Sequence, residues 1–190
     1  TIILDTSDES SVIEAARQLE GVPIDLLINN AGIYVDDDLK SATKESFMRQ
    51  FEVNAVGPFL VTRALLPNLE LAAKSHGTAT VAQVSSLLGS IGSNTREMAH
   101  FYSRAYAYSP SKAALNMVTR SLSVGLHDSN IIFVTLNPGY VDTDMNNHQG
   151  VLKPSESAES MANIVANLSM KDTGKFYNAD EHFGGLDLPW

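Results

Sequence analysis

Residues 24–32, Ile24-Asp25-Leu26-Leu27-Ile28-Asn29-Asn30-Ala31-Gly32, run from a nearly continuous apolar segment into a polar turn ending in glycine. An apolar run of this length without alternation reads as a strand, residues 24–28, covered on both faces, as parallel strands usually are. Upstream, residues 2–4 are a short β-branched run predicting another strand, closed by the polar cluster 5–11. Val12, Ile13, Ala16 and Leu19 then recur at helical spacing, with Asp8 or Ser10 placed to cap the helix and Gly21 and Pro23 to stop it. Downstream, residues 43–75 predict a largely helical stretch interrupted near Gly57-Pro58, and 78–85 a strand. Residues 86–107 are a long loop rich in Gly, Ser and Asn. Residues 110–127 predict a helix with Leu115, Val118, Leu122 and Leu126 on one face. A strand at 131–136 is broken by Asn137-Pro138-Gly139, Pro154 opens a helix to about residue 168, and the tail 175–190 is short and aromatic. Strands alternating with helices specify an α/β domain with a parallel sheet. No repeat, low-complexity tract or linker divides the chain, so residues 1–190 are expected to form one domain.

Composition narrows the partners. Thirteen basic against 22 acidic residues give a net charge of −9. An acidic surface repels phosphate backbones and anionic lipid, so neither nucleic acid nor a membrane is expected as a partner. The chain has no cysteine, which excludes thiolate catalysis and cysteine-based zinc sites and fits a reducing compartment. There is no apolar run of 18 residues, and residues 1–5 lack a signal peptide's basic region, so a cytoplasmic location is expected. Thr1-Ile2-Ile3-Leu4-Asp5 enters a strand-like run with no lead-in, and the chain reads as a piece of a longer one.

The sharpest cluster is Tyr108-Ser109-Pro110-Ser111-Lys112. Residues four apart share a helix face, so Tyr108 and Lys112 can address one pocket. A free tyrosine has a pKa of about 10 and is a poor acid-base catalyst near neutrality. A lysine cation beside it is expected to favour the phenolate and bring that value down. Pro110 is tolerated in a helix's first turn. By itself the pair is a common accident of exposed helices. Its companions are Asn29-Asn30-Ala31-Gly32 closing one strand, Asn54 in the long helical stretch, Ser85-Ser86 ending a second strand and Pro138-Gly139 ending a third. Each has a bland reading as a turn, a strand-end hydrogen bond or a loop breaker. Together they fall where open parallel sheets bind ligands, at and beyond the carboxyl ends of strands.

This ordered set resembles the short-chain dehydrogenase/reductase family. The family's strand-four motif matches Asn29-Asn30-Ala31-Gly32, its relay asparagine Asn54, its catalytic serine Ser86 and its Tyr-x-x-x-Lys pair Tyr108 and Lys112. Its Pro-Gly cofactor motif matches Pro138-Gly139, followed by Val141 and Thr143, and Asp5 matches an acidic residue that contacts adenine. The long 86–107 loop, Ala105-Tyr106-Ala107-Tyr108, Ser121-Leu122-Ser123-Val124 and the aromatic tail look like carbonyl reductases of the C-factor and sniffer type. The resemblance implies a Rossmann-like doubly wound parallel sheet and hydride transfer between nicotinamide and a small carbonyl or alcohol. It further implies NADP or NAD as cofactor, with NADP favoured, no metal, and a possible homo-oligomer. Tyr108 becomes the acid-base group. Lys112 tunes it and holds the nicotinamide ribose. Ser86 orients the carbonyl, with Ser85 as its rival, and Asn54 holds a relay water. Asp5, Thr6, Asn30, Ala31, Gly32, Pro138, Gly139, Val141 and Thr143 join Tyr108 and Lys112 as cofactor contacts.

One departure stands out. The family's Gly-rich turn between strand one and helix one has no counterpart before Asp5. In the family's strand order 3-2-1-4-5-6-7, residues 2–4 correspond to strand three, and strands one and two are missing. The chain alone is therefore expected to expose an apolar edge and to bind dinucleotide weakly. A binding or signalling protein on the same scaffold, without catalysis, is the competing reading, with an isomerase or dehydratase third. The intact Tyr108, Lys112, Ser86 and Asn54 favour chemistry. His76, His100, His127, His148 and His182 lack metal spacing, Asp36-Asp37-Asp38 reads as a solvated loop, and Asn167-Leu168-Ser169 as an idle sequon.

Overall fold

The computed structural model describes residues 1–180 and 184–190; His182 lies outside them. Four strands form one parallel sheet in sequential order: β1 (Leu26–Asn29), β2 (Ala79–Val84), β3 (Ile131–Asn137) and β4 (Lys175–Asn178). Every residue of β3 is buried, and alternate side chains feed opposite faces. On one face Ala79 and Val81 of β2 and Ile131 and Phe133 of β3 pack on Leu69, Ala72 and Ala73 of α4 (Leu66–His76), with Leu122 of α6 (Tyr108–Gly125) alongside. On the other face Ala82, Ile132, Val134 and Leu136 meet Met161, Ile164 and Val165 of α7 (Pro154–Ala166). Each apolar side chain buried this way contributes about 1.5–3 kcal/mol, so the two-sided core anchors the sheet. The result is a doubly wound α/β domain.

Two further helices pack beside Leu27 of β1, and a short α5 (Ala99–Tyr102) precedes α6. Asp8 caps α1 (Glu9–Gln18) through the Ser10 N–H, and Val12 packs on Val61 of α3 (Gly57–Ala64) and on Leu65. Thr43 caps α2 (Lys44–Phe51), which runs through a π-helical turn, residues Glu52–Val56, directly into α3. The interruption expected near Gly57-Pro58 is this π turn: the helix continues through Pro58, which comes just after it and has no N–H to offer the preceding turn. Gly57 is required there: a Cβ would stand 2.6 Å from the Thr6 carbonyl oxygen.

Two expectations are corrected. Residues 2–4 form no strand; Ile3 is 91% exposed, and a β-branched run without a hydrogen-bonding neighbour has no ladder to join. The tail supplies a strand instead, because Phe176 and Tyr177 bury their rings beside β3. The edge strand β1 leaves Leu26 42% and Ile28 52% exposed. Among the described residues no helix is long and apolar enough to cross a membrane.

Candidate active site

Because all four strands are parallel, β1, β2 and β3 deliver their carboxyl ends to one side of the sheet. α6 begins at Tyr108, so Tyr108 and Lys112 share its inward face, and both are buried. Lys112 Nζ donates to the Val84 carbonyl at the end of β2 (2.9 Å) and lies 5.8 Å from the Tyr108 ring centre. The Ser86 hydroxyl lies beside the Tyr108 phenol, and its oxygen accepts the Leu88 N–H (3.2 Å). Gly89, in the turn after Ser86, packs so tightly on α6 that a Cβ there would stand 2.8 Å from Lys112 Cβ.

Asn54 enters from the π turn, a local widening that often marks functional positions in helices. Its amide grips Ile33 twice, Nδ2 donating to the carbonyl (2.9 Å) and Oδ1 accepting the N–H (2.8 Å), and Nδ2 also reaches Ser111 Oγ (3.0 Å). Gly32 lies between the two groups: a Cβ there would stand 3.2 Å from Asn54 Oδ1 and 3.4 Å from Lys112 Nζ.

Burial controls the electrostatics. It pushes the Tyr108 phenol up to about 12, while the Ser86 hydroxyl pulls it down in part. It drives Lys112 down to about 8. Burial is the largest cause at Tyr108 in the protein by itself, so the phenol stands above its ordinary value there, not below it as expected beside Lys112. The Tyr108 phenol is therefore protonated across the neutral range.

The two serines separate cleanly. Ser85 Oγ is buried and donates to Asn116 Oδ1 (2.7 Å), whereas Ser86 faces Tyr108. Ser86→Ala is expected to cost turnover well beyond Ser85→Ala. Ser85→Ala, which orphans a buried acceptor, should instead lower stability by about 1–3 kcal/mol. Steady-state rates and melting curves of both variants check the ranking, and the reverse order refutes it.

The other predicted contacts spread along the same side of the sheet. Asn30 and Ala31 are exposed just beyond β1. Pro138 and Gly139 follow β3, where the Pro138 carbonyl accepts the Ser157 hydroxyl (2.6 Å). Gly139 has φ +86°, and a Cβ would meet Leu152 and Asp180 below 3 Å. Val141 bridges to Leu152, closing a loop that holds Thr143. Asp5 stands exposed, its carboxylate held below the usual range by the Ser7 hydroxyl (2.8 Å) and N–H (2.9 Å), with no bond to the Tyr108 cluster. Sequence reading passed over Asn137, whose Oδ1 accepts the Leu87 N–H (2.8 Å) and steadies the turn after Ser86. In the sequence it stands only as part of the strand-breaking Asn137-Pro138-Gly139.

In the 140–152 loop, His148 bridges Asp142 (Nδ1, 2.7 Å) and Asp144 (Nε2, 2.9 Å), which raises its pKa, with Asp142 contributing most. Donating to both carboxylates requires the imidazolium. The clasp is therefore complete below about 6.5, the ordinary histidine value, and opens as pH rises through the raised folded value. An NMR titration of His148 should give a midpoint above about 6.5 that falls in Asp142→Asn; an unmoved midpoint refutes the clasp.

Comparisons with known proteins follow the same lines. The family model for short chain dehydrogenases matches residues 1–151. C-signal of Myxococcus xanthus is 37% identical over 169 residues, spanning 88% of this chain and 93% of that protein. Among solved structures, NADPH-bound carbonyl reductase from chicken fatty liver superposes with a TM-score of 0.85 at 34% identity, over 100% of this chain and 76% of the other. The carbonyl reductase Sniffer of D. melanogaster does so at 0.88 and 31%, over 98% and 76%.

Proposed function

Because this chain belongs to the short-chain dehydrogenase family, we propose that it moves hydride between a nicotinamide cofactor, NADP or NAD, and a small carbonyl or alcohol. The observation that carries this reading is the convergence of Tyr108, Ser86, Lys112 and Asn54 on the carboxyl side of one sheet. A dinucleotide fits the surroundings: Gly32 leaves open a space beside Lys112 and Asn54 that any Cβ would fill. Asn30, Ala31, Gly32, Pro138, Gly139, Val141 and Thr143 would line it, with Lys112 at the ribose and Asp5 and Thr6 toward the adenine end. The NADPH of the chicken fatty liver carbonyl reductase supports the cofactor class. When bound, nicotinamide supplies or accepts the hydride.

The chain's own groups handle the proton. Tyr108, protonated at neutral pH, donates its phenolic proton to the substrate oxygen in reduction and takes it back in oxidation. Ser86 donates a hydrogen bond to the same oxygen as charge develops there, an oxyanion-type contribution. Lys112, close to half-titrated near pH 8, steadies the developing phenolate. The competing reading as a binding or signalling protein gives no reason for these four side chains to meet around one phenol. The deciding experiment follows NADPH and NADH oxidation with a panel of aldehydes and ketones. Turnover that depends on Tyr108 establishes the reading, and none with any substrate or cofactor overturns it.

A further inference from the structure

From the loop after β1 we infer that Asp37 is a positioning residue for Tyr108, an inference that rests on the hydride-transfer reading above. The sequence presents Asp36-Asp37-Asp38 as a solvated acidic turn. In the structure Asp37 is only 5% exposed, and its carboxylate accepts the backbone N–H of Tyr106 (2.6 Å) and of Ala107 (3.1 Å). These are the two residues immediately before α6. The helix has Ala107 at its N-cap, and a methyl group cannot accept the unpaired N–H groups there. Asp37, some 70 residues away, instead takes the N–H of that N-cap residue and of Tyr106 before it.

The neighbouring residues of the loop reinforce it. The Asp37 N–H donates to the Arg104 carbonyl (3.4 Å), which also accepts the Tyr34 hydroxyl (2.9 Å). Asp36 accepts from Tyr34 (3.0 Å) and from both Nε and Nη2 of Arg104. The Tyr34 ring stands edge-on to Tyr108, 5.1 Å between centres at 86°. At its other end the loop is held by α2 and the π turn, Gln50 Oε1 accepting the Val35 N–H (3.2 Å) and Asn54 holding Ile33. Residues 33–37 are thus a splint between the Asn54 segment and the residues that lead into Tyr108. Both Asp37 oxygens are taken by backbone N–H groups, and neither touches Ser86, Lys112 or the phenol. Asp37 therefore acts through Tyr108. A displacement near 1 Å at a reacting group costs about 100-fold in rate, which sets the scale of its effect.

The test compares Asp37→Asn with wild type in the full chain, using kcat, KM, melting temperature and the Tyr108 ring resonance, assigned by its absence in Tyr108→Phe. Asparagine keeps the shape but sets an N–H against one of the two donors. The expected result is a kcat lower by about 10–100-fold, KM within threefold, and a shifted or broadened Tyr108 resonance. Asp38→Asn, whose bonds stay within its own turn to Lys40 and Ser41, should match wild type. A kcat within twofold of wild type, or a loss that only follows the fraction folded, overturns the positioning role. If Asp37→Asn fails to fold, Tyr34→Phe keeps the ring and removes its grip on Arg104; a lower kcat at unchanged KM supports the splint, and an unchanged kcat overturns it. A wild type without Tyr108-dependent turnover refutes the hydride-transfer reading instead, and the ring resonance then decides the positioning role alone.

Discussion

Tyr108→Phe should abolish turnover while leaving cofactor affinity within severalfold of wild type. The substitution removes one oxygen and keeps the ring, so the edge-on contact with Tyr34 and the packing at the start of α6 persist. What disappears is the proton that burial keeps on the phenol through neutral pH. General acid-base groups contribute about 100- to 10,000-fold, and each factor of ten corresponds to about 1.36 kcal/mol of barrier. A loss of about 3–5 kcal/mol of transition-state stabilisation is therefore expected, with no compensating fall in KM. Single-turnover rates and a cofactor titration of the variant measure the two halves separately. Residual activity above about a tenth of wild type would remove Tyr108 from the acid-base role, since that lies below the range such groups supply.

Asn54→Ala is expected to be the most destabilising of the site substitutions. Asn54 is fully buried and satisfies the Ile33 N–H, the Ile33 carbonyl and the Ser111 hydroxyl at once. Each buried polar group left unpaired costs about 1–3 kcal/mol, and partial repair by an entering water brings the sum to about 2–5 kcal/mol. For a chain of this size that lowers the melting temperature by roughly 5–15 °C. Turnover should fall as well, because Ile33 follows Gly32 directly and Gly32 lies beside Lys112. Calorimetry reads the first effect, and a melting point within about 2 °C of wild type would show that the Asn54 bonds are not what holds the loop.

Much of this architecture is legible in the chain because it depends on local pattern. The apolar runs in β1, β2 and β3 announce themselves, and the four-residue spacing of Tyr108 and Lys112 needs only a helix to become a shared face. Ser85 and Ser86 look alike in the chain, and only the fold shows that Asn116 captures Ser85. What escaped depends on partners distant in sequence. β4 is four residues long and begins with a lysine, so nothing local distinguishes Lys175-Phe176-Tyr177-Asn178 from a loop. Residues 2–4 have strand composition without a strand to pair with. The π turn around Asn54 is one extra residue in a helix and leaves no compositional mark. Asp37 looks like its two neighbours until Tyr106 and Ala107 arrive to bury it.

The parallel sheet carries a kinetic consequence. Leu26 pairs with Thr80, Ala79 with Ile131 and Val134 with Lys175, so each strand must wait for a partner about 40–55 residues on before it finds its neighbour. Such non-local pairings demand loop-closure entropy before any contact repays it, which places the chain among slower folders with high contact order. The pocket inherits that delay. Gly32 and Asn54 come from the crossover after β1, and Ser86 and Tyr108 from the one after β2, so the four are together only when both crossovers are in place. Partly folded chains can hold a compact β2–β3 core and still lack any arrangement of side chains able to move a proton.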